Sequence, residues 1–196
     1  MRYKPGQREE TRQRMQKAAS QAFRTHGFAG IGVDGIAKSA GVTSGAFYSH
    51  FGSKEGAFAA GLELGLDEVI EGIPRFQAEA GSAWVRAFVE YYLGAAHRAD
   101  PACGCAMTTL SPEVVRAPEE IRALYQEKMK RIVSLAARGL AGGDKAARKA
   151  RAWAMISTLV GGLTLARAMG EGKPTEQIAA AVIDNAIQAA GEVAGG

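Results

Sequence analysis

The stretch VDGIAKSAGVTSGAFYSHF, residues 33–51, decides how the whole chain is read. Ile36, Ala37 and Ala40 share one face of a short helix at the helical period. Ala37 is small enough for a second helix to cross close above it. Gly41 follows, where a positive φ costs glycine little and other residues more. Val42 fills the angle between the two helices, and Thr43 or Ser44 can cap the second. Phe47 and Phe51, four residues apart, point back into a small core. Two helices, a tight glycine turn and a second helix held outward form a helix-turn-helix. An ordinary helical hairpin shares the glycine turn, so the outer face must separate the two readings.

That outer face is polar and small. At about 100° per residue, Gly45 and Ser49 point most directly outward when Phe47 and Phe51 point in. Ala46, Tyr48 and His50 lie on the flanks. Small residues at the tip let the backbone approach another surface closely. The flanking hydroxyls and ring nitrogens can hydrogen-bond to phosphates. The DNA major groove, about 12 Å wide, admits one helix of this kind. Lys54, at the start of the next helix, adds a cation beside an N-terminal dipole that attracts phosphate.

Charge agrees with that partner. Residues 1–56 hold nine Lys/Arg and four Asp/Glu, including Arg2, Lys4, Arg8 and Arg24, whereas the rest of the chain is near neutral. A basic end on a neutral body suits a polyanion. The N-terminus lacks an apolar signal core, and no run nears the ~20 apolar residues of a membrane span. A cytoplasmic protein with no membrane partner is expected.

The remaining sequence shows no strand-like alternation, and the fold class expected is all-α, with about nine helices in 196 residues. Helices are expected near 8–26, 33–40, 43–51, 53–71, 82–98, 102–116, 118–138, 145–170 and 175–190. Gly72 and Pro74 are read as ending the fourth, and Ser111-Pro112-Glu113 as a local helix start. Trp84, Phe88, Tyr91 and Tyr92 are placed together on one side of the fifth.

Residues 11–64 resemble the N-terminal domain of the tetracycline-repressor (TetR) family of bacterial regulators. The resemblance is carried by F-x-x-x-G-F at Phe23–Phe28, V-D-G-I-A at Val33–Ala37, A-G-V at Ala40–Val42 and G-A-F-Y-S-H-F-G-S-K-E at Gly45–Glu55. It implies that Thr43, Ser44, Gly45, Ala46 and Tyr48 meet double-stranded operator DNA, with His50 and Lys54 on phosphates; Ser49 joins the DNA-binding candidates from its outward position on the helix. It also implies a ligand-responsive regulator, most often a repressor, that works as a homodimer. Two departures stand out. Ile31-Gly32 replaces the hydroxyl residue common before the first short helix, and Gly35 stands where an acid is common.

Two domains are expected, 1–54 for DNA and 55–196 for ligand binding and dimerisation. The helices near 145–170 and 175–190 are too apolar for a free surface, and their Ala and Gly content permits close packing across a two-fold axis. Trp84, Phe88, Tyr91, Tyr92, Cys105, Met107, Tyr125, Met129, Trp153 and Ile156 are candidates for an apolar pocket holding a small, neutral or weakly polar effector. Glu90 is the nearest acid. No positioned acid–base pair or nucleophile set suggests catalysis, and no cofactor is expected. Cys103 and Cys105 with His97 are too thin a set for a metal site. Cys105, in G-C-x-M-T-T-L, resembles a Gly-Cys element found in part of the same family. There it is packing in some members and an electrophile-sensing thiol in others.

Overall fold

The computed structural model describes residues 5–102 and 104–191. Arg2, Lys4 and Cys103, singled out above, lie outside the described residues, as does the side chain of Arg8. Ten α-helices and one 3-10 turn make up the described chain, without a strand. They are α1 (Pro5–His26), α2 (Val33–Ser39), α3 (Ser44–Phe51), α4 (Lys54–Ala80), α5 (Trp84–Leu93), α6 (Ala95–Ala99), α7 (Ala106–Val114), α8 (Glu119–Gly139), α9 (Lys145–Met169) and α10 (Lys173–Ala190).

Helices α1–α3 and the first turns of α4 share a small core. Phe23 meets Phe58 edge to face at 5.3 Å, and Phe28 meets Phe58 at 5.4 Å. Ile36, Ala37, Ala40 and Phe47 are all buried there. Helix α4 leaves this core and runs along α1, α5 and α8, so it belongs to both halves of the molecule. Two of its glycines mark where neighbouring helices come close. A methyl group at Gly61 would lie 2.9 Å from the Ser20 backbone nitrogen, and one at Gly65 would lie 2.5 Å from Ala106 Cβ. The α1–α4 crossing is fastened by Ser20 Oγ donating to the Gly61 carbonyl at 2.9 Å.

Three expectations need correcting. Helix α4 does not end at Gly72 and Pro74; it continues to Ala80. Pro74 is exposed and forfeits one i→i−4 hydrogen bond, while Ile70, Ile73 and Phe76 on the inner faces stay packed against the core. Burial of that stripe outweighs the lost bond. The expected helix at 82–98 is two pieces, because Gly94 adopts an extended ψ of 150° and separates α5 from α6. Pro112 lies inside α7 rather than starting a helix.

Helices α9 and α10 pair along their length, with Gly162 at the contact: a methyl there would reach within 2.4 Å of Val182. By length and apolar content α9 could cross a bilayer, the one such helix among the described residues. Its inner face, with Met155, Ile156, Leu159 and Leu163, is buried in the bundle.

Candidate nucleic-acid interface and ligand cavity

The helix-turn-helix is built from local hydrogen bonds that its sequence dictates. Gly41 takes φ +65°, and the Val42 N–H donates to the Ala37 carbonyl at 3.0 Å. Thr43 is the N-cap of α3: its Oγ1 accepts the Ala46 N–H at 3.2 Å. Ser44 Oγ donates to Asp34 Oδ1 at 2.6 Å, so its hydroxyl ties α3 to α2. Gly32 caps α2 without a side-chain bond. Gly35 has a packing reason, since a methyl there would press within 3.0 Å of Ile31.

The outer face of α3 is as small and polar as its spacing implies. Thr43, Gly45, Tyr48 and Ser49 are exposed, and Ala46 and His50 are half-buried. Tyr48 keeps 52 % of its surface in solvent although it is aromatic. Its ring is braced edge to face by Phe47 at 5.7 Å, the one aromatic ring that meets it among the described residues. Ser53 caps α4 by accepting the Gly56 N–H at 3.0 Å, and Lys54 places its Nζ 4.6 Å over the Phe28 ring. That cation–π contact fixes where the ammonium sits.

A second site lies in the body. A cavity of about 380 Å³ is lined by one face of α4 (Gly65, Glu68, Val69, Gly72, Arg75, Phe76, Glu79), by Phe88, Tyr91 and Tyr92 of α5, and by His97, Gly104 and Cys105. Of the ten pocket candidates, Phe88, Tyr91, Tyr92 and Cys105 come together here. Tyr91 is not on the buried side with Trp84, Phe88 and Tyr92; it is 59 % exposed, at the mouth. Tyr125, Met129 and Trp153 line a separate shallow depression. Trp84, Met107 and Ile156 are buried in the core, with Trp84 Nε1 donating to the Gly139 carbonyl at 2.9 Å. Glu90 is exposed and pairs with Arg86 at 3.5 Å.

Polar groups on the cavity floor are engaged with one another. His97 Nε2 accepts the Cys105 N–H at 3.0 Å, which leaves Nδ1 as the donor to the Tyr92 carbonyl at 2.7 Å. Both ring nitrogens are thereby used by a neutral imidazole. Burial lowers the His97 pKa and reinforces that state. Tyr92 OH shares a hydrogen bond with Thr108 Oγ1 at 2.9 Å, and burial raises its pKa well above that of a free phenol. Burial also pushes the Cys105 thiol up, against the thiolate that reactive cysteines need.

The sequence reading missed Glu68, Val69, Gly72, Arg75, Phe76 and Glu79. A signal was there: their spacing of three and four residues is the helical period carried through Pro74. It also missed Arg24. This α1 residue is 6 % exposed. Its guanidinium donates to the Gly104 carbonyl at 2.7 Å, to Ser20 Oγ at 3.0 Å and to Glu68 Oε2 at 2.8 Å.

Residues 17–60 match the family model described as bacterial regulatory proteins, tetR family. No curated protein matches the chain. Solved structures share the fold at low identity. Escherichia coli NemR in its reduced form is 22% identical with a TM-score of 0.74, over 88% of this chain and 95% of that one. A TetR transcriptional regulator from Legionella pneumophila is 19% identical with a TM-score of 0.76, over 89% and 94%. FadR from Bacillus subtilis, solved in complex with stearoyl-CoA, is 17% identical with a TM-score of 0.68, over 90% and 98%. The helix-turn-helix lies inside the segment that matches the tetR family model, and the chain as a whole shares its fold with these solved regulators.

Proposed function

We propose that this regulator is a homodimeric repressor that leaves its operator when a small, largely apolar molecule fills the α4–α5 cavity. The observation that carries the reading is α3: an exposed helix tip of Gly45 and Ser49, flanked by an ordered, exposed Tyr48, next to a cation at Lys54. Base-edge contacts would come from Thr43, Gly45, Ala46 and Tyr48. Ser49, His50 and Lys54 would hold phosphates, and Ser44 would act through its bond to Asp34.

The division into 1–54 and 55–196 separates DNA contact from ligand contact, with α4 shared between them. Dimerisation would use the outer faces of α9 and α10. On α9 that face carries exposed Trp153, Leu165 and Met169 among small Ala154, Ser157 and Gly161. Two recognition helices would then reach successive major grooves, ~34 Å apart. Ligand binding by this fold is supported by FadR, solved with stearoyl-CoA. Release requires that the ligand favour one dimer geometry over the other.

Selection of bound duplexes from a random library tests the reading. The expected product is a palindrome whose half-sites lie about one helical turn apart. The Tyr48→Ala variant should bind about 1–3 kcal/mol more weakly and recover the palindrome with relaxed preference at the base pair that Tyr48 reads. Recovery of no common sequence would overturn the assignment.

A further inference from the structure

Among the polar groups that line the cavity, the floor is spent on itself, while the rim keeps carboxylate surface open to solvent. His97, Tyr92 and Cys105 satisfy one another and Thr108. At the rim, Glu68 and Glu79 stand on the same face of α4, three turns apart. Glu79 has no ion-pair partner among the described residues, whereas Arg75 is drawn to Glu71 at 3.6 Å. Between the carboxylates lies an aromatic wall. Phe76 meets Phe88 at 5.4 Å and Tyr91 at 5.4 Å, and Tyr91 stacks on His97 at 5.4 Å. Ring faces and carboxylates both attract a cation.

Glu68 has a second duty. Its carboxylate is half-exposed on the cavity side and is the ion partner of Arg24, whose side chain is almost wholly buried. Arg24 belongs to α1, in the DNA-binding half. Its other bond beyond α1 goes to the Gly104 carbonyl, on the opposite wall of the same cavity. Its Nε is buried without a partner, so the group is already short of compensation. The fold clears space for it: a methyl at Gly65 would lie 2.6 Å from the guanidinium. Removing the counter-ion of a buried arginine is costly. That cost would fall on the joint between α1 and the cavity wall.

Building on the ligand-release reading above, we propose that the cavity selects small aryl-alkyl ammonium ions. Glu68 would be the shared carboxylate: it neutralises Arg24 when the cavity is empty and the ligand's ammonium when it is filled. Binding then loosens α1 from Gly104 and α4, and the DNA-binding half gains freedom.

The test uses the full chain and three probes of one shape: 4-phenylbutylamine, 4-phenyl-1-butanol and 4-phenylbutyrate. Affinities come from calorimetry, and the state of α1 comes from hydrogen exchange over residues 17–27. The amine should bind about tenfold or more tighter than the alcohol, and the butyrate weakest of the three. The amine should also speed exchange in α1. Glu68→Gln should erase the preference for the amine, while Glu79→Gln should retain part of it. Arg24→Lys keeps the charge in case larger changes prevent folding. It should show fast α1 exchange without any probe, and little further change with the amine.

Equal binding of amine and alcohol, a preference that survives Glu68→Gln, or α1 exchange unmoved by saturating amine would overturn the proposal. If the alcohol alone releases DNA, the ligand-release reading stands and this mechanism falls. If the amine loosens α1 while no duplex is preferred, this mechanism stands and the operator reading falls.

Discussion

Two glycines of α4 look alike in sequence and differ in what surrounds them. At Gly65 a side chain would collide with Ala106 and the Arg24 guanidinium, whereas at Gly72 nothing lies within 4 Å of the added methyl. Alanine is the better helix former by about 1 kcal/mol, so the surroundings set the sign. Gly65→Ala should destabilise the protein by about 1–3 kcal/mol through overpacking. Gly72→Ala should be neutral or stabilising by up to ~1 kcal/mol, while narrowing the cavity. Urea midpoints of the two variants check the contrast. His97 offers a pH test at the same scale. Its folded pKa is lowered, chiefly by burial, so the stability it contributes is complete above about pH 6.5. That contribution is lost as pH falls, because a proton on Nε2 would confront the Cys105 N–H. Between pH 7.5 and 5.5 the wild type should lose more stability than His97→Gln, which keeps an acceptor for that N–H. Parallel losses in the two proteins would remove His97 from this role.

The helices show which elements the sequence makes legible. The turn from α2 to α3 was readable because each step has a local cause: Gly41 at positive φ, Thr43 as cap, and Phe47 inward. The far end of α4 was not, because Gly72 and Pro74 are local stop signals and the force that overrides them is tertiary. Ile70, Ile73 and Phe76 are held by other helices that no short window contains. Gly72, Arg75, Phe76 and Glu79 of the cavity wall lay at or beyond that misplaced end and were lost with it. Arg24 was unreadable for another reason: its three partners are 4, 44 and 80 residues away. An exposed proline inside a helix makes a prediction at this scale. Pro74→Ala should restore a bond to the Ile70 carbonyl and raise stability, by up to ~3 kcal/mol. An unchanged or lower melting temperature would mean that the helix is shaped around the proline.

At the scale of the molecule, the helix-turn-helix half and the cavity-bearing half share one long helix, and an apolar face of α9 is left open. Leu165 is 53% exposed and Met169 52% in the single chain. Leu165→Glu should leave the fold intact, since that face touches no core. It should weaken self-association about tenfold or more in sedimentation, and DNA affinity should fall with it. An unaltered dimer would place the interface elsewhere. The central claim, that α3 and its neighbours read a particular DNA sequence, is tested most directly by fluorescence anisotropy. The duplex upstream of the protein's own gene is compared with a scrambled duplex, at about 50 and 200 mM salt. The account expects tight binding that prefers the native duplex and weakens about 10³-fold or more between those salts, as several phosphate contacts require. Weak binding, equal on both duplexes and insensitive to salt, would contradict it.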